Sequence, residues 1–292
     1  MHIFFQPSNL AWKAGVLLAC ANLSPLLFSA SVHCDPYAST WASGQKSSLR
    51  LIAAGAGPPR SFYRAGIELR LDPGVLTYWR MPGGAGVPPV FSFEGSENAT
   101  DIVVSYPAPT RIDEDGTEAF GYRDRVIFPI RVAPKDASRP VVLVLNVSYA
   151  VCSRICLPAK AEARLTLLPS PQAGSSAASP EAAAIAAAEA AVPLHLTPEQ
   201  RDAKVAITRD ETAPTPTWRL SPRGGSVQDL FAEAPPGWYF ETRKSGRPNE
   251  FLIVEVEKPR TDSRAPLPVT LTLRNELQSY EFAVDLDAAS VQ

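Results

Sequence analysis

Histidine, methionine and cysteine are scarce in this 292-residue chain, at 3, 2 and 4 copies. Cleavage of a leader near Ser31 would leave His33 and His195 as the imidazoles and Met81 as the thioether, with no cluster beside the closely spaced cysteines. A dedicated soft-metal site therefore has few ligands to draw on. The two imidazoles fall in stretches read as flexible, and the scattered Ser, Asp and Glu form no nucleophile motif, so hydrolase chemistry lacks a base. Charge of one sign is also missing: 28 basic against 30 acidic residues give −2, which is no footprint for nucleic acid and points to proteins as partners. Between residues 35 and 292 there is no G-x-G-x-x-G, no C-x-x-C and no series of apolar spans. These absences argue against a dinucleotide or other cofactor, a second dithiol and a membrane electron conduit.

Proline and glycine are present in quantity. The 29 prolines and 17 glycines disfavour a mainly helical protein, because proline breaks helix interiors and serves turns and sheet edges. Residues 1–31 read as a secretory signal: Lys13 precedes the apolar run Ala14–Ala30, and small residues follow to Ser31. Asn22 and Pro25 interrupt that run, so an exported, soluble chain is expected rather than an anchored one. Residues 32–60 are Ser/Gly-rich and read as a flexible segment.

Sheet patterning starts at Ser61. Ile67, Leu69 and Leu71 alternate with charged residues, Asp72-Pro73-Gly74 supplies a turn, and Val75–Trp79 begins a second strand, which reads as a hairpin. Met81–Val90 is expected as a shaped loop. Short strands follow at Phe91–Phe93, Ile102–Tyr106, Val126–Val132, Val141–Val147 and Ala163–Leu168. The chain is thus expected to be all-β, with an antiparallel sandwich over 61–168. Residues 169–193 read as a linker whose alanine-rich part can form a short helix with little apolar bulk to bury. A second series of short strands over 194–287 predicts a second β domain, in line with the length prior of two.

Removal of the leader deletes Cys20 and leaves Cys34, Cys152 and Cys156. The last two stand three residues apart in Tyr149–Pro158, directly after the apolar run VVLVLNV, which reads as a central strand. A disulfide in so small a ring contributes only about 2 kcal/mol by loop closure. It is a poor staple, whereas about 30 mV of potential corresponds to only about 1.4 kcal/mol, so its surroundings tune it readily. A reversible intramolecular disulfide between Cys152 and Cys156 is expected. An inert bridge, or Cu(I) held by the same two thiolates in a metal-resistance accessory protein, are the alternatives. Arg154, between the cysteines, is a candidate to lower a thiolate pKa. Tyr149 is a candidate lid, and Phe91 and Phe93 are candidate shields against other oxidants; each of these rings is equally readable as core.

Tyr78-Trp79-Arg80-Met81-Pro82-Gly83 with Gly86, Pro88 and Pro89, then Ser96, Asn98, Pro107-Ala108-Pro109, Arg111, Gly121-Tyr122, Pro129, and Tyr149 with Cys152, Cys156 and Pro158, resembles the N-terminal periplasmic domain of the DsbD and ScsB families of thiol:disulfide interchange proteins, the ScsB-like branch above all. The resemblance covers Ser61–Leu168 well and the rest more loosely. It implies an immunoglobulin-like sandwich in the periplasm whose pair, here Cys152 and Cys156, takes electrons from a thioredoxin-like domain and passes them to periplasmic thiol proteins. The membrane conduit and thioredoxin-like domain of these families have no counterpart in residues 35–292. The implied partners are therefore thioredoxin-like or disulfide-isomerase-like proteins and a separate membrane electron-transfer protein.

Overall fold

Alternating burial along short strands sorts the chain into four sheets. The structure, a computed structural model, describes residues 35–55, 62–84, 86–114, 116–169, 179–260 and 267–286. The expected leader with Cys20, and also His33 and Cys34, lie outside these residues.

The first half contains β1 (Ala42–Gly44), β2 (Ser47–Ala53), β3 (Tyr63–Leu71), β4 (Leu76–Gly83), β5 (Val90–Ser92), β6 (Ala99–Val104), β7 (Thr110–Glu114), β8 (Thr117–Arg123), β9 (Arg125–Pro134), β10 (Val141–Cys152) and β11 (Cys156–Leu167). One sheet runs β1-β2-β3-β9-β6 and the other β11-β10-β4-β8-β7, with β5 added to β10. Leu49, Leu51, Ile67, Phe128 and Ile130 from the first sheet share one core with Trp79, Phe120, Leu143 and Leu145 from the second. Period-two alternation makes this possible, since every second side chain of each strand reaches the same face.

The second half holds α1 (Ala182–Ala190), β12 (Leu194–His195), α2 (Pro198–Lys204), β13 (Val205–Arg209), β14 (Thr217–Pro222), β15 (Asp229–Glu233), β16 (Tyr239–Lys244), β17 (Phe251–Glu257), β18 (Leu267–Arg274) and β19 (Tyr280–Leu286). Its sheets run β12-β19-β18-β15 and β13-β14-β17-β16 around Trp218, Leu220, Phe251, Ile253, Leu271 and Phe282. The all-β expectation holds. Only the two-residue β12 pairs in parallel among the described ladders.

Three local expectations are corrected. Residues 42–53, within the stretch read as flexible, form β1 and β2, because Leu49, Leu51, Ile52 and Ala53 are buried against β3. Ser and Gly hid that strand signal. The turn at Asp72-Pro73-Gly74 does not close a hairpin: β3 pairs with β2 and β9, while β4 pairs with β8 and β10 in the facing sheet. A tight turn fixes the reversal of direction but not the sheet the chain returns to. Within the stretch read as a linker, Ile185 of α1 is fully buried against Ile52 and Ile127, and Arg64 pairs with Glu189. That helix is docked on the outer face of the first sandwich by its one bulky apolar residue.

Candidate functional site

Strand β10 continues through Cys152, and its ladder with β11 ends on the directly opposed pair Cys152 and Cys156. Only Ser153, Arg154 and Ile155 lie between, so the two Cβ atoms face one another and the cysteines form a disulfide. The two sulfurs are in different surroundings. Cys152 is fully buried, whereas Cys156 is exposed beside Ile155, itself 70% exposed.

Alternation along β10 sends Val147, Tyr149 and Val151 into the main core and turns Ala150 and Cys152 to the opposite face. There Leu76 and Tyr78 of β4, Ile112 of β7 and Ala119 of β8 close a small apolar cluster around Cys152. The β4–β10 ladder fixes this register by pairing Cys152 with Leu76 and Val151 with Thr77. The Thr77 hydroxyl adds a bond to the Ala150 carbonyl at 2.9 Å.

Tyr78 is fully buried, with its hydroxyl 2.7 Å from Cys152 Sγ, 3.4 Å from Cys156 Sγ and 3.0 Å from Glu114 Oε2. One phenol has one proton, so it donates to Glu114 or to a sulfur at any instant. Burial, then the negative charge of Glu114 and the hydrogen bond to it, push the phenol pKa up. Tyr78 therefore stays a donor throughout the physiological range.

Two glycines let the backbone close around this ring. Gly121 pairs with Tyr78 across the ladder, and a Cβ there would lie 2.0 Å from the Thr77 carbonyl oxygen. Gly86, at φ +113°, lies on the Tyr78 ring, where a Cβ would fall 2.3 Å from an aromatic carbon. Of the loop expected at Met81–Val90, the first three residues continue β4 and the last opens β5, and Gly86 between them lies against Tyr78.

Ligand atoms of Glu114, Cys152 and Cys156 lie within 4.8 Å of one another. Reduction would turn this trio into two thiols and a carboxylate, and a bound metal would displace the thiol protons. A hard carboxylate suits zinc better than Cu(I), and among the described residues no imidazole joins the group.

Of the residues singled out in the sequence, the structure brings together the two cysteines alone. Tyr149 is a core residue rather than a lid: its ring is buried and its hydroxyl lies 2.8 Å from Ser47 Oγ. Phe91 and Phe93 pack against the main core rather than over the disulfide, and Phe91 meets Tyr106 and Phe128. The cause is register, because β5 pairs with β10 at Val147 and so lies upstream of the cysteines. Arg154 is exposed in the turn. Tyr78 and Glu114 were not assigned roles from sequence. Tyr78 stood inside the motif beginning Tyr78-Trp79-Arg80, a signal that could have marked it, but Glu114 ends the short strand β7 in the run Ile112-Asp113-Glu114, where nothing local points at a cysteine.

Among the described residues no helix is long and apolar enough to cross a membrane. No curated protein matches the chain. The crystal structure of the N-terminal periplasmic domain of ScsB from Proteus mirabilis superposes with a TM-score of 0.68 at 18% identity, covering 87% of this chain and all (100%) of that one. At that identity the likeness establishes the fold. The YadV chaperone aligns over 81% of this chain and 99% of that one at 10% identity, with a TM-score of 0.20, too low to bear on architecture. The family model described as thiol:disulfide interchange protein DsbD, N-terminal, matches residues 56–168, the span that carries the disulfide, Tyr78 and Glu114. Over residues 56–168, this chain is thus similar in sequence to the N-terminal domain of DsbD and, in fold, to the N-terminal periplasmic domain of ScsB.

Proposed function

We propose that this chain is a periplasmic thiol:disulfide interchange module that relays electron pairs from a thioredoxin-like or disulfide-isomerase-like donor to other thiol proteins through Cys152 and Cys156. A separate membrane protein supplies the donor. The observation that carries the reading is the asymmetry of the pair, one sulfur buried beneath a tyrosine hydroxyl and one exposed on a turn.

Reduction begins when a donor thiolate attacks the exposed Cys156 Sγ. The Cys152–Cys156 bond breaks, Cys152 leaves as a thiolate, and a mixed disulfide joins Cys156 to the donor. Tyr78 stabilises that leaving thiolate by donating to it, and a proton taken up from solvent completes the thiol. The donor's second thiol then attacks its own sulfur in the mixed disulfide and frees Cys156. Two electrons have moved and the donor is left oxidised. The same steps in reverse reduce an acceptor.

Single cysteine variants test this. Cys152→Ser should accumulate a dithiothreitol-sensitive mixed disulfide with a thioredoxin-like protein through Cys156, while the double Cys→Ser variant should not. Lack of any adduct, together with stoichiometric zinc or Cu(I) binding that needs both cysteines, would favour the metal reading, for which the proximity of Glu114 is the one specific argument.

A further inference from the structure

The strand that carries Tyr78 loses its ladder immediately after it. Tyr78 pairs with Gly121, and the next β4–β8 pair is Gly83 with Ala119, so residues 79–82 run out of register. Such an irregularity re-aims side chains. Here the second sandwich meets the segment. Trp79 packs edge-on against Phe231 of β15, ring centroids 5.8 Å apart, and Arg80 grips Glu233 through two bonds, Nε at 2.9 Å and Nη2 at 2.7 Å, with Glu281 as a further partner.

The strand that carries Glu114 is held from the same place. Arg111 of β7 binds Asp229 through Nε at 3.1 Å and Nη2 at 2.9 Å, and reaches the Leu230 carbonyl at 2.9 Å and the buried Thr242 hydroxyl at 3.0 Å. Phe231, fully buried, belongs to the core of the first sandwich although its strand belongs to the second. It contacts Phe120 at 4.9 Å, and the Arg111 guanidinium lies 5.5 Å from its ring. Three alternate residues on one face of β15 thus take hold of β4 and β7, one arginine at each end and an aromatic plug between.

We infer that Asp229, Phe231 and Glu233 are positioning residues for the Cys152–Cys156 couple, acting through β4 and β7 to hold the Tyr78 hydroxyl and the Glu114 carboxylate at the sulfurs. The inference rests on the redox reading of that pair. Its consequence is that the second sandwich sets how readily the disulfide is reduced, because a thiolate that keeps its phenol donor is stabilised relative to one that loses it.

Equilibration of the full chain with glutathione tests it. Two glutathione thiols reduce the disulfide, the first forming a mixed disulfide at Cys156 and the second releasing it as oxidised glutathione, so the reduced fraction gives the equilibrium constant directly. Phe231→Ala, and the milder Asp229→Asn with Glu233→Gln, should each make reduction about threefold to tenfold less favourable, a shift of roughly 15–30 mV. Val284→Ala, which opens the second core away from β15, should lower thermal stability without that shift. In a Tyr78→Phe background the β15 variants should no longer make reduction less favourable, since the donor they position is gone and only the opposing Glu114 charge is left to move. An equilibrium constant that does not move, that moves equally in Val284→Ala, or that moves as much with Tyr78→Phe as without it overturns the inference. If the pair equilibrates as expected but no partner is trapped, the relay fails and the positioning role stands.

Discussion

The Tyr78 hydroxyl is the one donor among three competing acceptors, and its value depends on charge. Hydrogen bonds to charged groups contribute about 1.5–3 kcal/mol, roughly twice a neutral pair. Tyr78→Phe should therefore slow reduction of the disulfide by about tenfold or more, read from the rate of thiol appearance with dithiothreitol; an unchanged rate would remove Tyr78 from the mechanism. Glu114 acts with the opposite sign. Its carboxylate competes for the phenol's hydrogen bond and repels a thiolate formed within 4.8 Å, so Glu114→Gln should raise the reduced fraction at equilibrium with glutathione by a few-fold. A fall would mean that Glu114 assists rather than opposes the thiolate.

At the scale of elements, the β10–β11 hairpin fixes the cysteines, and helix α1 packs on the first sandwich at Ile52 and Ile127. Helix α1 is made of alanine apart from Ile185 and Glu189, and its contribution comes through those two residues. Ile185→Ala should cost about 2–4 kcal/mol in urea unfolding, the range for a fully buried isoleucine. A linker helix lying free of the sandwich would show almost no loss. The helix itself was legible in its alanine run, but not its docking, since one isoleucine among alanines carries no amphipathic signal. Strands β7 and β15 escaped notice for a related reason: Thr110–Glu114 and Asp229–Glu233 are five residues each, with two acidic residues apiece, and their burial comes from what packs on them.

For the molecule as a whole, residues from 35 onward cluster into one compact unit, and a set of ion pairs makes its stability depend on pH. The clearest is Glu68, whose carboxylate is fully buried with Arg50 Nε at 2.7 Å, Arg125 Nε at 2.8 Å and Arg70 nearby. Burial alone would raise its pKa, but the bond to Arg50 and the charges of Arg50, Arg125 and Arg70 outweigh it and hold the carboxyl below its ordinary value. A depressed folded-state pKa contributes stability that is fully present above the unfolded value, about 4.3, and is lost as pH falls through the lower folded value. Thermal unfolding should thus show a midpoint that is flat towards neutrality and drops below about pH 4, and Glu68→Gln should weaken that acid dependence while lowering stability at pH 7. An acid limb of the same depth in the variant would place its origin elsewhere.

Composition and alternation alone determined that this chain is built from short strands, because proline and glycine exclude long helices and period-two burial leaves few other solutions. The cysteine spacing likewise marked which two residues pair, since three intervening residues can close a small ring. Tertiary structure decided what those sulfurs face. Tyr78 lies 74 residues from Cys152, and Glu114 stands 36 from Tyr78. Their meeting depends on β3 and β4 parting into different sheets, which no turn residue encodes. The same is true of Phe231, whose strand belongs to one sandwich and whose ring completes the core of the other. Local sequence specifies which face of a strand is apolar, whereas the partner for that face is set by how distant strands pack.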